Sequence, residues 1–216
     1  MHCTIEPAIL YFGTPVVLVS TLNADGTPNL APMSSAWWLR QKCVLGFDPT
    51  SKSPENLLRT GECVLNLPSE RQADLVDRLA LLSGSDPLPP HKIARGYRTE
   101  TDKFGRAGAT PLPSDQVGPP RVGVCPVHLE ARLLDAWRLT GPGDDPRGTP
   151  YALCVRIVRV HVDEALVAEG YPNRIDPEKW RPLIMSFQQF YGLGSRVHPS
   201  RLATIPEEAY RPAAPR

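Results

Sequence analysis

The stretch TPVVLVSTLNADGTPNLAPMSSAWWL, residues 14 to 39, decides the fold class. Residues 14–23 form an apolar, β-branched run that ends at Asp25-Gly26, and a second apolar run follows over 27–39. Two strand-like runs joined through Asp-Gly read as a β-hairpin. Its second arm is unusual for a core strand. Pro32 lacks the N–H that a ladder needs, Ser34 and Ser35 stand side by side, and Trp37 and Trp38 follow back to back. Pro32 is expected to end ordinary pairing, and alternation along a strand sends the two tryptophans to opposite faces.

Working outward, KCVLGFD (42–48) reads as a third strand and ECVLNLPS (62–69) as a fourth. Between them SKSPENLLRTG (51–61) reads as a short helix. Ser53 is the expected N-cap, Pro54 the first helical residue and Gly61 the stop. ERQADLVDRLALLSG (70–84) is helical in pattern, with Leu75, Leu79 and Leu82 on one face. Residues 84–121 are irregular and proline-punctuated, the kind of long excursion that carries function or covers a partner. Strands resume over 121–139 and 151–167, split by a loop at 140–150. In the later run Val155, Ile157, Val158, Val160 and Val162 alternate against Arg156, Arg159 and His161. LIMSFQQFYGLG (183–194) is one further aromatic-rich element. Consecutive hairpin-linked strands with few short helices predict a mainly β chain, folded as a closed or nearly closed antiparallel barrel. No repeat or linker divides residues 1–216, so one domain is expected, with a barrel core over about 10–182 and an extension over 183–216.

Composition excludes several classes. The 216 residues carry 24 basic and 23 acidic side chains, so neither a nucleic-acid groove nor a membrane-surface patch is expected. No apolar run approaches the ~20 residues of a spanning helix, and MHCTIEPAIL is not a secretory signal. Five cysteines, an odd number in a chain of this size, predict reduced thiols and a cytoplasmic protein. The 25 prolines are roughly double the average share of ~5 %. They punctuate loops instead of forming one tract, which predicts rigid loops and not disorder.

The common chemical motifs are missing: no G-x-G-x-x-G, no P-loop, no H-E-x-x-H, no paired C-x-x-C and no G-x-S-x-G. Cys125 and His128 form a single C-x-x-H, which reads as strand neighbours and not as a metal pair. The one anion-site candidate is TSKSPENL (50–57), where Ser51, Lys52 and Ser53 stand at a helix start. On the residues alone the plainer reading, a helix cap at Ser53 with a solvated Lys52, is preferred, and Asn56 suits either reading.

In order, GTPVVLVSTLNADGTPNLAPMSSAWWL, SKSPENLL, ECVLNLPSE and TDKFGRAGATPLPSDQV resemble the flavin reductase-like, flavoredoxin-containing branch of the FMN-binding split-barrel proteins. The likeness runs from about Phe12 to about Pro182. It implies a six-stranded Greek-key barrel, a homodimer, and FMN, in preference to FAD, bound near the subunit interface. By resemblance, Asn29, Met33, Ser34, Ser35 and Trp37 border the flavin ring and ribityl chain, with Pro32 freeing backbone for the ligand. Ser51, Lys52, Ser53 and Asn56 hold the phosphate, and Lys103 of the DKF motif also contacts flavin. The implied activity is NAD(P)H-dependent flavin reduction, with hydride passing from nicotinamide to flavin and onward to a monooxygenase or another acceptor. The alternatives are a flavoredoxin-like electron carrier that never meets nicotinamide, and a barrel that has lost flavin.

Overall fold

The computed structural model describes residues 1–145 and 148–211. A short β1 (Phe12–Pro15) leads into β2 (Val17–Leu22) and β3 (Pro28–Met33). The Asp25-Gly26 turn joins the last two as expected. Gly26 takes φ 84°, and the Asp25 carboxylate accepts from the Thr27 N–H at 3.0 Å and the Thr27 hydroxyl at 2.6 Å.

The second arm does not run on as one strand. It breaks at Ser34-Ser35 and resumes as β4 (Ala36–Leu39), which pairs with β5 (Lys42–Phe47) and not with β2. Pro32 does not end the pairing either: it stands opposite Leu18, and Met33 opposite Val17 continues the register. A proline fits there because β3 is an edge strand.

Beyond β5 come α1 (Lys52–Thr60), β6 (Glu62–Leu67), α2 (Ala73–Asp77), β7 (Leu82–Ser83), α3 (Pro90–Ala94), β8 (Arg98–Thr99), α4 (Lys103–Ala107), β9 (Pro111–Leu112) and β10 (Arg121–Val122). The long hairpin β11 (Val127–Arg138) and β12 (Tyr151–Val162) follows, then β13 (Ile184–Ser186) and β14 (Gln189–Tyr191). The loop expected over 140–150 includes Pro146 and Arg147, which lie outside the described residues.

The main sheet is antiparallel throughout, in the order β3-β2-β6-β11-β12-β5-β4. Its two edges, β3 and β4, are consecutive in the chain and separated only by Ser34 and Ser35. The sheet therefore curls into a split barrel. Counted as one bent strand, β3 and β4 make the six strands expected. Across the bend Gly46 N–H donates to the Ser35 carbonyl at 2.7 Å.

Two cores result. Inside the barrel lie Val17, Val19, Leu45, Cys63, Leu65, Leu129 and Leu153. Outside it, Leu18 and Leu30 pack with Leu75, Leu79 and Leu82 of the 70–84 stretch, Phe104 of the excursion and Val122 of β10. This second core explains why β2 is apolar on both faces: Val17, Leu18 and Val19 are all fully buried. The alternation expected along β12 is interrupted. A bulge opposite Glu130 and Ala131 shifts the register, leaving Val158 and Val160 36% and 48% exposed. All five cysteines are free thiols, four of them buried. No helix among the described residues is long and apolar enough to cross a membrane.

Candidate functional site

α1 begins two residues earlier than its sequence pattern predicts. Its N-cap is Ser51, not Ser53, and Pro54 is the third helical residue. The Ser51 side chain makes no capping hydrogen bond. The Ser53 hydroxyl is turned inward and accepts from Asn29 Nδ2 at 3.1 Å. That buried bond pulls the second serine into the fold and leaves the first at the helix head. Pro54 has no N–H, so the backbone donors left at the head are those of Lys52 and Ser53.

Asn29 and Asn56 form a buried polar layer behind the head. Their amides both donate to Thr21 Oγ1, at 3.2 and 3.1 Å, and Asn56 also donates to Asn23 Oδ1 at 2.9 Å. Asn56 therefore ties α1 to the β2–β3 hairpin and does not face the cleft. The tie fixes the helix axis, and with it the direction of the positive end of its dipole.

That end opens into a cleft of about 140 Å³ whose wall includes Ala31, Pro32, Ser51, Lys52, Ser53 and Lys103. Asp48, Ala80, Leu82 and Ser83 also line it, and the excursion adds Gly84, Lys92, Arg95 and Tyr97. Lys92 Nζ reaches over the helix head to Ser51 Oγ at 3.0 Å and the Thr50 carbonyl at 3.2 Å. Its pKa is lowered by burial, against the pull of Asp48. Lys52 pairs with Glu55 at 2.7 Å on the exposed side of α1.

Lys103, the first residue of α4, is only 2% exposed. Its ammonium makes no hydrogen bond or ion pair within 4 Å among the described residues. Burial pushes it down to about 8, Lys92 adds to the shift, and Glu100 opposes it. A buried cation with no counter-charge in contact is costly and marks a place for an anion.

Lys92, Arg95 and Tyr97 escape sequence reasoning because residues 84–121 have no hydrophobic period. The only signal is HKIARGY (91–97), a cation-rich helical turn that starts after Pro89-Pro90. Gly84 closes the floor. A Cβ there would stand 2.6 Å from Asn29 Oδ1 and 3.1 Å from Lys52 Cγ. Gly84→Ala is expected to destabilise the protein by ~1–3 kcal/mol, and equilibrium unfolding in urea measures this. Wild-type stability would show that the floor has slack.

The other sequence-predicted residues lie apart from this cleft. Met33 packs partly buried against the barrel core, Ser34 is half-buried and Ser35 exposed. The tryptophans do point oppositely: Trp38 packs against the core and Trp37 is 56% exposed outside the barrel.

A second polar cluster, Asp115, Glu130 and His161, lies on the barrel exterior. Its carboxylate is already engaged: Glu130 accepts from the Asp115 and Gln116 N–H groups at 2.8 and 2.6 Å and meets His161 Nε2 at 2.7 Å. It fastens the 113–120 loop and is not an open site. Cys125 lies in the outer core, and His128 Nε2 meets the Val122 carbonyl at 2.8 Å, so both serve packing.

The sequence pattern described as "Flavin reductase like domain" matches residues 9–194. The chain belongs to this flavin reductase-like family. A Bacillus subtilis (strain 168) protein, YdfE, described as uncharacterized, is 37% identical over 198 residues, covering 89% of this chain and 90% of that protein. Flavoredoxin of Desulfovibrio vulgaris (Miyazaki F) shares the fold at a TM-score of 0.74 and 21% identity, over 95% of this chain and all of that one. Nitrilotriacetate monooxygenase component B from Bacillus cereus shares it at 0.72 and 20%, over 92% and 99%. Family membership supports a flavin-related oxidoreductase role. The cleft of this flavin reductase-like chain suits a flavin's phosphate: the Lys52 and Ser53 N–H groups and the ammonium groups of Lys92 and Lys103 border it, with Lys52 beside them, and together they outweigh the single carboxylate of Asp48.

Proposed function

We propose that the protein binds FMN and reduces flavin with NAD(P)H as a cytoplasmic homodimer, handing electrons to a monooxygenase or a similar acceptor. The observation that carries this reading is Lys103, buried without a counter-charge in contact, in the same cleft as an uncapped helix head. Lys52, Lys92 and Lys103, with Ser51 and the Lys52 and Ser53 N–H groups, would hold the phosphate. Asn29, Ser53 and Asn56 keep that constellation rigid from behind. Met33, Ser34, Ser35 and Trp37 are assigned to the ring end of the cofactor. FMN, when bound, would supply the redox chemistry as acceptor of a hydride from nicotinamide. The protein's own part is position and charge: the lysines fix one end of the cofactor, and the apolar β3 edge excludes water beside it. No general acid or base is required of the chain. The similarity to nitrilotriacetate monooxygenase component B supports the choice of acceptor class.

The test is direct. Purified protein is expected to quench FMN fluorescence on titration, to bind riboflavin at least tenfold more weakly, and to bleach within minutes when the FMN complex meets NADH or NADPH without oxygen. Failure to bind FMN would sink the flavin reading. Binding without bleaching would replace the reductase with a carrier that takes electrons from another protein.

A further inference from the structure

A cavity larger than the phosphate cleft lies at the far end of β5. It measures about 980 Å³, at the top of the ~300–1,000 Å³ range of small-molecule sites. Three parts of the barrel form one wall: the β4-β5 tip, the end of β12 and the loop from Val167 to Ile175. The C-terminal turn Glu207–Tyr210, with Arg211, forms the other. β5 starts at the tip and ends toward α1, so this cavity and the phosphate cleft lie at opposite ends of the strand and share no residue.

The barrel wall is amphipathic and carries charge of one sign. Leu39, Val160, Val162, Val167 and Ile175 make it apolar, and Leu39 and Val160 are left 67% and 48% exposed. Its charges are Arg40 and Arg174, and among the described residues no acidic side chain of the barrel lines it. Arg40 opens the two-residue turn between β4 and β5 at φ 54°, a left-handed conformation that glycine or asparagine ordinarily supplies in a hairpin. A long side chain kept in such a conformation points to a role for that side chain. The Gln41 carbonyl accepts from the Ile157 N–H at 2.9 Å and so pins the tip to β12.

Arg174 is held as firmly. Its loop is closed by the Val167–Ile175 bridge and by the Ala168 N–H, which donates to the Arg174 carbonyl at 2.8 Å. Its guanidinium lies over the Tyr171 ring at 5.7 Å and meets the Glu207 carboxylate at 2.8 Å. Glu208 pairs within its own turn, with Arg211 at 2.7 Å. The C-terminal turn therefore presents one carboxylate to the barrel wall, and Arg174 takes it. Arg40 is left without a hydrogen bond or ion pair among the described residues.

We infer that this cavity binds an amphipathic organic carboxylate, its apolar body on the valine-rich wall and its carboxylate on Arg40 and Arg174. Glu207 holds the ligand's place on Arg174 and is displaced when the ligand enters. Charge complementarity selects the class. Two guanidinium groups on one wall favour an anion, and their planar forks match a carboxylate. The valines, Leu39 and Ile175 match an apolar body and offer nothing to the hydroxyls of a sugar or a sugar phosphate. The inference does not rest on the flavin reading.

The experiment is fluorescence titration of the full-length protein with a dansylated undecanoate, followed by displacement with decanoate and with decanol. The probe is expected to bind the wild type, and decanoate to displace it at a concentration at least tenfold lower than decanol. Arg40→Gly should bind the probe at least tenfold more weakly while resisting urea as well as the wild type, because glycine takes the left-handed turn without strain. Glu207→Gln should bind it at least threefold more tightly, since Arg174 is then released. Lys103→Met, which alters only the phosphate cleft, should bind it as the wild type does. No binding to the wild type overturns the inference, as does equal displacement by decanol. Binding lost in Lys103→Met places the probe in the phosphate cleft and overturns it too. Unchanged or weaker binding in Glu207→Gln refutes the displacement of Glu207. If Arg40→Gly misfolds, Arg174→Gln replaces it, and undiminished binding in that variant also overturns the inference. Failure of the wild type to bind FMN leaves every one of these outcomes readable.

Discussion

Lys103→Met is expected to weaken FMN binding about 100-fold, or about 2.7 kcal/mol, while making the flavin-free protein more stable. Both effects have one cause. In the absence of an anion the buried ammonium has lost its water and gained no partner, so removing it relieves the fold by ~1–4 kcal/mol. When a phosphate is present, the same ammonium forms a desolvated charge pair, and its loss costs affinity. Riboflavin, which lacks the phosphate, should bind both proteins equally. The pH dependence carries a sign. The folded-state value is about 8, below the usual 10.5, so between these values the unfolded chain holds more protons and stability rises with pH. Over the same window FMN affinity falls, because the free site is losing the proton that its phosphate partner needs. Lys103→Met should flatten both trends. Fluorescence titration and urea unfolding at pH 7, 8, 9 and 10 measure them, and a variant that loses stability and keeps its FMN affinity would remove Lys103 from the site.

Glu130→Leu is expected to carry the largest stability loss, ~3–5 kcal/mol, by stranding groups that the carboxylate now satisfies. Glu130 is fully buried and gathers the Asp115 and Gln116 N–H groups and His161 onto one side chain. Burial works to raise its pKa. The hydrogen bonds from Asp115, His161 and Gln116 outweigh that and hold it below the usual 4.5. A lowered carboxylate contributes stability above its unfolded value and loses it as the pH falls through the folded one. The wild-type loop at 113–120 should therefore loosen in acid, as the pH falls below the usual carboxylate range. Hydrogen exchange at the Asp115 and Gln116 amides reads this directly. Exchange as slow in Glu130→Leu as in the wild type would show that other bonds hold the loop, such as Gly118 N–H to Glu62 at 2.9 Å and Arg132 to the Gln116 carbonyl at 2.8 Å.

Much of the barrel is legible in the sequence because its signals are local. Asp25-Gly26 specifies a hairpin turn, and Gly61, at φ 72°, ends α1 by donating its N–H to the Leu57 carbonyl. The break at Ser34-Ser35 is not legible, because an alternating strand continues on both sides of it and only the sheet's far edge reveals why the chain bends. The N-cap is misplaced by two residues for a similar reason. Ser51 and Ser53 are chemically equivalent in the sequence, and what distinguishes them is Asn29, 24 positions from Ser53. Part of the cleft wall is hidden because Lys92, Arg95 and Tyr97 reach it from a segment with neither period nor motif. Lys103 is placed in the cleft, but the absence of a counter-charge is a property of the assembled fold alone.

The placement of proline on β3 bears on how this sheet edge resists strand addition. β3 is a sheet edge, and Pro28 and Pro32 both lie within its paired register, opposite Leu22 and Leu18. An exposed edge is a template on which a strand from another chain can add, the first event of many aggregation processes. Two positions without an N–H interrupt that template, so an intruding strand cannot zip along β3 with an unbroken ladder. The same edge can still be approached by a flat small molecule, which needs only isolated contacts. Pro28 and Pro32 thus act as a filter on what the opened seam of the barrel accepts, admitting a ligand and refusing a strand.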